Sequence, residues 1–442
     1  MSLGSDPSPR RAWVALAVLM LAYTVSFADR TILTLLIPPI QRDLGISDTQ
    51  VSLLAGFAFA IFYTLMGIPL GRIADRYNRR NLIAAGITVW CLMTVACGLA
   101  RNYWQLFTAR VGVGVGEAAL SPAAYSMISD LFPKEKLGRA IAAYSLGLPV
   151  GSGIALVIGG LVVTLVADAP PVVLPTVGSL EAWQMAFLVV GLPGILVAVL
   201  VMALPEPARR DRIAAGTTPL PATAILTFLR TNRRTLLHHF GGLAMLVVIV
   251  YGSTAWVPTF FMRAHGWEAG RIGVAYGLIF MTCGTGGLLC GGFLADRMWN
   301  RGKQDAHLRV VLLSVASMTP CFAILPLLPS PELALVALAL ATFTSSLHGG
   351  VAGAALQLIT PNELRAQMTA VYFFVANLVG LGLGPTAVAL LTDYAYGSPD
   401  ALGLSLSTLA VLAGPPSMLL VATGLRHYRG SVDRMPAQAA AR

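Results

Sequence analysis

Charge is what this 442-residue chain has least of. Only 11% of its residues are Asp, Glu, Lys or Arg, under half the usual share of about 25% in soluble proteins. A soluble surface cannot be made from that little. Cysteine is also scarce: the five, Cys91, Cys97, Cys283, Cys290 and Cys321, have no C-x-x-C spacing and all fall in apolar stretches. A disulfide framework and a zinc site are therefore not expected, and the cysteines read as small core residues. There is no N-x-S/T sequon, no HExxH and no G-x-S-x-G, and His238-His239 is the sole histidine doublet. An enzyme acting on lipids would need a metal cluster or an activated nucleophile near the interface. Neither that nor a cofactor or metal site is expected.

What the chain has is apolar length. It is 56% hydrophobic with a mean hydropathy of +0.74. With about 20 apolar residues needed to cross about 30 Å of hydrocarbon, twelve spans are expected. They begin near Trp13, Val51, Asn81, Trp104, Leu137, Trp183, Thr235, Ile272, Leu308, Leu333, Leu364 and Leu402. Glycine (44) and proline (27) are abundant, as suits helices that pack on small residues in lipid. The segment from Trp13 is too long for a signal-peptide core and lacks a cleavage site, so it is expected to stay as the first helix.

The basic residues check that count. With both termini cytoplasmic, the termini and the even-numbered loops hold 24 of the 30 Lys and Arg; Arg42, Arg101, Arg263 and Arg271 fall on the other side, and Arg30 and Arg110 lie within spans. The alternation obeys the positive-inside rule, and the net charge of +10 is topological in origin, with no nucleic-acid partner implied.

Motifs recur between the halves. Gly71-Arg72-Ile73-Ala74-Asp75-Arg76 matches Gly292-Phe293-Leu294-Ala295-Asp296-Arg297 at a spacing of 221. Pro133-Lys134-Glu135 with Tyr144 matches Pro361-Asn362-Glu363 with Tyr372 at 228, and Pro38 matches Pro258 at 220. Three recurrences at nearly one period, in matching topological places, predict two homologous six-helix bundles, residues 1–204 and 235–442, joined by an arginine-rich cytoplasmic linker over 205–234. The expected fold is an all-α membrane protein of twelve transmembrane helices, the major facilitator architecture. Gly112-Val113-Gly114-Val115-Gly116 has no preceding strand and lies at mid-membrane, so it reads as close helix packing, not a phosphate loop.

Four charges sit at membrane depth: Asp29 and Arg30 in the first span, Arg110 and Glu117 in the fourth. Each unpaired charge there costs roughly 2.5 to 3.5 kcal/mol, so four amount to about 10 to 14 kcal/mol. Arg110 and Glu117 are seven apart, on one helix face with a depth difference of ~10 Å. Asp29 falls between them in depth, able to pair with Arg110 or approach Glu117. The bland reading is a static ion-pair network; the sharper one is a pairing that protonation switches, coupling protons to conformational change. Asp29 and Glu117 are the coupling candidates. The guanidinium forks of Arg30 and Arg110 suit a phosphate or carboxylate. Tyr251, Trp256 and Phe260 on the seventh span and Tyr372, Phe373 and Phe374 on the eleventh offer aromatic walls, and Asn377 and Gln357 are nearly alone as amides within the spans. Tyr251, Trp256 and Asn377 are taken as substrate contacts. Few amides speak against a sugar and for an amphiphile. His348, the one histidine at membrane depth, reads as a helix contact.

The loop over 71–80 closely resembles the signature of the major facilitator superfamily between its second and third helices. That resemblance implies a cytoplasmic latch, with Asp75, Arg76, Asp296 and Arg297 as gating residues. Gly147-Leu148-Pro149-Val150-Gly151-Ser152-Gly153 resembles, imperfectly, the Gly-Pro bend of its antiporters. Together Asp29-Arg30, the 71–80 loop, Arg110-x-x-x-Gly114-x-Gly116-Glu117-Ala118 and Pro149-Val150-Gly151-Ser152-Gly153 are similar to the Spinster family over roughly residues 20–160. The family implies proton-linked movement of lysolipid-like molecules, among them lysophospholipids and, in animals, sphingosine 1-phosphate. Its helix-one acid carries over to Asp29 and its helix-four Arg and Glu to Arg110 and Glu117. Short tails suggest a bacterial member, in the inner membrane and monomeric. The competing expectations are a proton-linked multidrug or organic-acid carrier and, from another class, a non-transporting membrane receptor or scaffold.

Overall fold

The computed structural model describes residues 9–167, 172–174, 178–209, 222–361 and 364–440. Among them, eleven helical segments are long and apolar enough to cross a membrane: Pro9–Leu44, Asp48–Ala74, Arg79–Gly98, Arg139–Val166, Ala182–Ala203, Arg233–His265, Ala269–Asn300, Ala306–Leu327, Pro331–Leu358, Gln367–Tyr396 and Pro399–Arg434. The twelfth, fourth in chain order, is broken into Tyr103–Glu117 and Leu120–Leu131 by a turn at Ala118-Ala119. Neither half spans alone. Helices dominate because lipid offers no partner to a backbone N–H or C=O, so each segment must satisfy its own. One small antiparallel hairpin, Val172–Leu174 with Gly178–Leu180, lies between the fifth and sixth spans.

The few polar residues at span ends set where helices begin. Asn78 accepts from the Asn81 N–H (2.9 Å) and Asn102 from the Gln105 N–H (3.0 Å), while Ser47 and Gln50 form a reciprocal capping box. These caps supply the orphan donors of the first turn with acceptors. Gly45 and Gly266, 221 residues apart, end the first and seventh spans at φ of 63° and 64°, a left-handed conformation that glycine alone adopts freely. The spacing equals that of the G-x-x-x-D-R motifs, so the repeat extends to backbone conformation. The tenth span is also interrupted, after Ser346, with Gly350 at φ 73°, near the register of the break in the fourth.

Chain contacts divide the protein into two compact units, Met1–Thr217 with Phe261–Met281, and Thr218–Phe260 with Thr282–Arg442. In the first, glycine lets helices touch. A Cβ on Gly114 would meet the Phe59 carbonyl oxygen at 2.7 Å, and one on Gly116 the Trp90 backbone nitrogen at 2.7 Å. Gly153 of the fifth span meets the Gly277 carbonyl of the eighth at 2.5 Å in the same sense. The second unit packs Leu243, Leu246, Val315, Met318, Phe322 and Ala410 as its core. Within the linker expected over 205–234, residues 210–221, with Arg210 and Arg212, lie outside the described residues, and a helix runs over Ala222–Thr231. Asn362 and Glu363 of the repeated loop motif also lie outside them.

Candidate functional site

A helix repeats every 3.6 residues, so Ser26, Asp29 and Arg30 share one face of the first span. That face meets the fourth span at Glu117, while the glycines of the fourth span bring it close to the second and third spans. Glu117, the last residue before the break, turns one carboxylate oxygen toward Ser26 and Arg30. Its Oε2 accepts from Ser26 Oγ at 2.7 Å and Arg30 Nε at 2.6 Å, and lies 2.5 Å from Arg30 Nη2. The Glu117 side chain is fully buried and that of Arg30 is 17% exposed. The guanidinium is held among aromatic rings, 4.5 Å from the Phe59 centroid, 4.7 Å from Tyr63 and 5.1 Å from Phe27, so cation–π attraction adds to the ion pair.

Asp29 and Arg110, the other two charges, meet through the Asp29 backbone and not as a carboxylate pair, one of the two arrangements the sequence allowed. Arg110 donates to the Asp29 carbonyl (3.1 Å) and, at longer range, to the Leu54 carbonyl (3.4 Å). Leu54 belongs to a π-helical turn, Leu53–Phe57, and such a turn shifts carbonyls out of the α-helical ladder. Buried Arg110 is therefore solvated by backbone. The Asp29 side chain, fully buried, has no hydrogen-bond partner on either oxygen among the described residues, nor has Glu117 Oε1. Thr94, whose hydroxyl is also unpartnered, neighbours Asp29 without reaching hydrogen-bond geometry. The sequence names all four charges. Which acid meets which arginine depends on side-chain reach, and Arg30, adjacent to Asp29, takes Glu117.

The expected contacts on the seventh and eleventh spans lie in the other unit. Trp256 is fully buried and donates its Nε1 to the Pro385 carbonyl at 2.9 Å. Tyr251 is half-buried against Gly380 and Gly384, and half-buried Asn377 lies on the π-helical segment Ala376–Leu383. His348 is half-buried in the turn after Ser346, its Nδ1 against the Ser345 carbonyl of the preceding helix.

Of the expected gating residues, the side chain of Asp75 lies outside the described residues, and Arg76, Asp296 and Arg297 are exposed. Arg79, from the same loop as Asp75, is the one that is engaged. Its guanidinium, 1% exposed, pairs with Asp130 and with Glu206 (2.8 Å) and donates to the Pro207 carbonyl (2.9 Å). The Arg80 N–H adds a bond to Glu206 at 2.9 Å, and Arg209 donates to the Ala74 and Tyr77 carbonyls at 2.7 and 2.8 Å. These close the end of the second span and the start of the third around the chain leaving the sixth. At the far end of the first span, Arg263 donates to Asp48 and to Gln41. Sequence does not single out Asp48, Arg79 or Glu206, each an ordinary charge at a span end. For Arg263 the available signal is that it breaks the positive-inside pattern.

Comparison with known proteins accords with this architecture. The Major Facilitator Superfamily model matches residues 19–385. A protein of Mycolicibacterium smegmatis named an MFS-type efflux pump is 31% identical over 416 residues, 92% of this chain and 90% of its own. Protein spinster homolog 3 of Danio rerio is 27% identical over 87% of this chain and 78% of its own. The crystal structure of a bacterial homolog of the human lysosomal transporter Spinster, in an inward-facing and unoccupied conformation, superposes with a TM-score of 0.77 at 26% identity, covering 97% of this chain and 98% of that one. The chain belongs to the Major Facilitator Superfamily of secondary transporters, with Spinster proteins among its relatives.

Proposed function

We propose that this protein is a proton-coupled transporter of an amphiphilic anion of the lysolipid class, working by alternating access, as a monomer with both termini cytoplasmic, in a bacterial inner membrane. The observation that carries the proposal is the buried Arg30–Glu117 pair beside Asp29, whose carboxylate has no partner among the described residues. Ionised, Asp29, Arg30, Arg110 and Glu117 sum to zero charge. A proton bound by either acid leaves one positive charge over, which an anionic headgroup can balance. Proton and anion then favour each other's binding, and by linkage each strengthens the other by the same factor. Protonated Glu117 holds the Arg30 cation through a neutral acceptor in place of an ion pair. The fork becomes available to phosphate or carboxylate, and Phe27, Phe59 and Tyr63 supply apolar surface for a chain.

The Spinster resemblance of residues 20–160 supports a lysolipid cargo. Asp48 with Arg263, and Arg79 with Asp130 and Glu206, are the proposed latches at opposite ends of the first unit; the exposed Arg76, Asp296 and Arg297 and the loop acid Asp75 are proposed to act at the cytoplasmic side as it closes. A second reading, a multidrug or organic-acid carrier, draws on the relative named an efflux pump.

Reconstitution under an imposed pH gradient tests the two readings. Labelled lysophospholipids, a hydrophobic cation and a small organic acid are offered to wild type, Asp29→Asn and Glu117→Gln. Gradient-driven movement of lysolipid alone, lost in either variant, is the expected result. Equal movement of the cation favours the second reading, and movement indifferent to the gradient removes proton coupling.

A further inference from the structure

Glu117 has two carboxylate oxygens in opposite circumstances. Oε2 is approached by Ser26 Oγ at 2.7 Å, Arg30 Nε at 2.6 Å and Arg30 Nη2 at 2.5 Å; Oε1 is buried with no partner among the described residues. A carboxylate oxygen offers two in-plane lone pairs. The hydrogen bonds from Ser26 Oγ and Arg30 Nε fill both, with Arg30 Nη2 in close ion-pair contact. Ser26 and Arg30 stand one turn apart on the first span, so they grip the fourth-span acid at two points from one helix. A proton reaching Glu117 has one open position, Oε1. Ser26 is itself buried, 1% exposed, and this is the hydrogen bond its side chain makes.

We infer that Ser26 is a positioning residue for the proton site: its hydroxyl pins Glu117 Oε2 against Arg30 so that the exchangeable proton is carried on Oε1. The inference rests on the proton-coupled reading above and sharpens it to an atom. Besides Ser26, Glu117 is faced by Asp29 and Arg30 from the first span, Cys91 from the third and Arg110 from its own. None of these others is a neutral hydroxyl donor. Removing the hydroxyl leaves every charge in place and takes away one donor that favours the ionised acid. Such a donor is worth about one pH unit in the balance between protonated and ionised forms. Without it, Glu117 also gains a rotational freedom that Arg30 alone does not remove.

The test is infrared titration of the purified, lipid-reconstituted protein. The carboxylic acid carbonyl band of Glu117 is assigned by its loss in Glu117→Gln, and followed with pH in wild type, Ser26→Ala and Ser26→Thr. Expected is a wild-type midpoint that moves upward by about one pH unit in Ser26→Ala, with a broadened band. Ser26→Thr, which keeps the hydroxyl, restores the wild-type midpoint and guards against a packing effect. A Ser26→Ala midpoint and band equal to wild type overturn the role of Ser26 and leave proton coupling standing. A Glu117 band that does not titrate in wild type overturns both. If Ser26→Ala does not fold, Ser26→Cys, of similar size and weaker donor strength, is expected between Ala and wild type; a wild-type midpoint in that variant counts against the inference.

Discussion

Arg263 and Asp48 are joined by two hydrogen bonds, Nη1 to Oδ2 at 2.8 Å and Nη2 to Oδ1 at 2.6 Å, a fork-to-fork pair 215 residues apart in sequence. Gln41 completes it, donating to Asp48 Oδ1 at 2.7 Å and accepting from Arg263 at 2.8 Å. Charge, planarity and a third partner together make this a single unit. Asp48→Asn keeps the shape and loses the charge. Removing one partner of a buried pair costs about 3 kcal/mol, and the variant is expected to melt earlier in detergent and to expose cysteine probes placed near residue 45 to membrane-impermeant reagents. Unchanged labelling would show that the pair does not hold this end shut.

Arg79 is expected to tolerate no replacement. It bonds Asp130, Glu206, Ser126 and the Pro207 carbonyl at once, a demand for a planar fork that lysine, a point charge, does not meet. Arg79→Ala is expected to lose about 3 to 5 kcal/mol of stability, and Arg79→Lys to recover little of it, as read by thermal unfolding.

At Arg30 the same distinction bears on function. Its guanidinium lies 4.5 Å from the Phe59 ring centroid and pairs with Glu117, so Arg30→Lys retains charge but gives up the planar stacking and the second donor. Lysolipid binding measured by tryptophan quenching or scintillation proximity is expected to weaken at least about tenfold, which is about 1.4 kcal/mol. Trp256→Phe gives the control: its indole N–H serves the Pro385 carbonyl, so stability is expected to fall by about 1 kcal/mol while affinity stays. The opposite pattern would support Trp256 as a substrate contact.

Gly153 and Gly277 offer a packing test. With 2.5 Å between a built Cβ and the facing carbonyl, Gly277→Val has no room, and the variant is expected to express poorly and unfold early. Gly292, where a Cβ meets nothing within 4 Å, is expected to accept alanine without loss of folded yield, measured by fluorescence size exclusion.

Much of the fold is legible in sequence because lipid imposes one rule, backbone self-sufficiency, and apolar length reports it directly. The fourth span is legible as one crossing yet not as two helices: nothing in Gly116-Glu117-Ala118-Ala119 demands a turn until the glycines lock against Phe59 and Trp90. The four buried charges are visible for the same reason the spans are, standing out from an apolar background. Their pairing is not, since Arg30 and Arg110 both reach several angstroms and the choice falls to a π-helical turn that gives Arg110 a carbonyl at Leu54. Ser26 is readable in hindsight by its i, i+3, i+4 relation to Asp29 and Arg30. Asp48 and Glu206 are not, because a charge at a span end is what topology alone would place there; Arg263 stands out only by breaking the positive-inside pattern.

Proton uptake on ligand binding bears most directly on the central claim. Detergent-solubilised protein in weak buffer with an indicator dye is mixed with a lysophospholipid. Wild type is expected to take up protons in step with binding, Glu117→Gln to take up fewer, and Asp29→Asn combined with Glu117→Gln to take up none while still binding. Binding without proton uptake in wild type, or undiminished uptake in the double variant, would contradict the account.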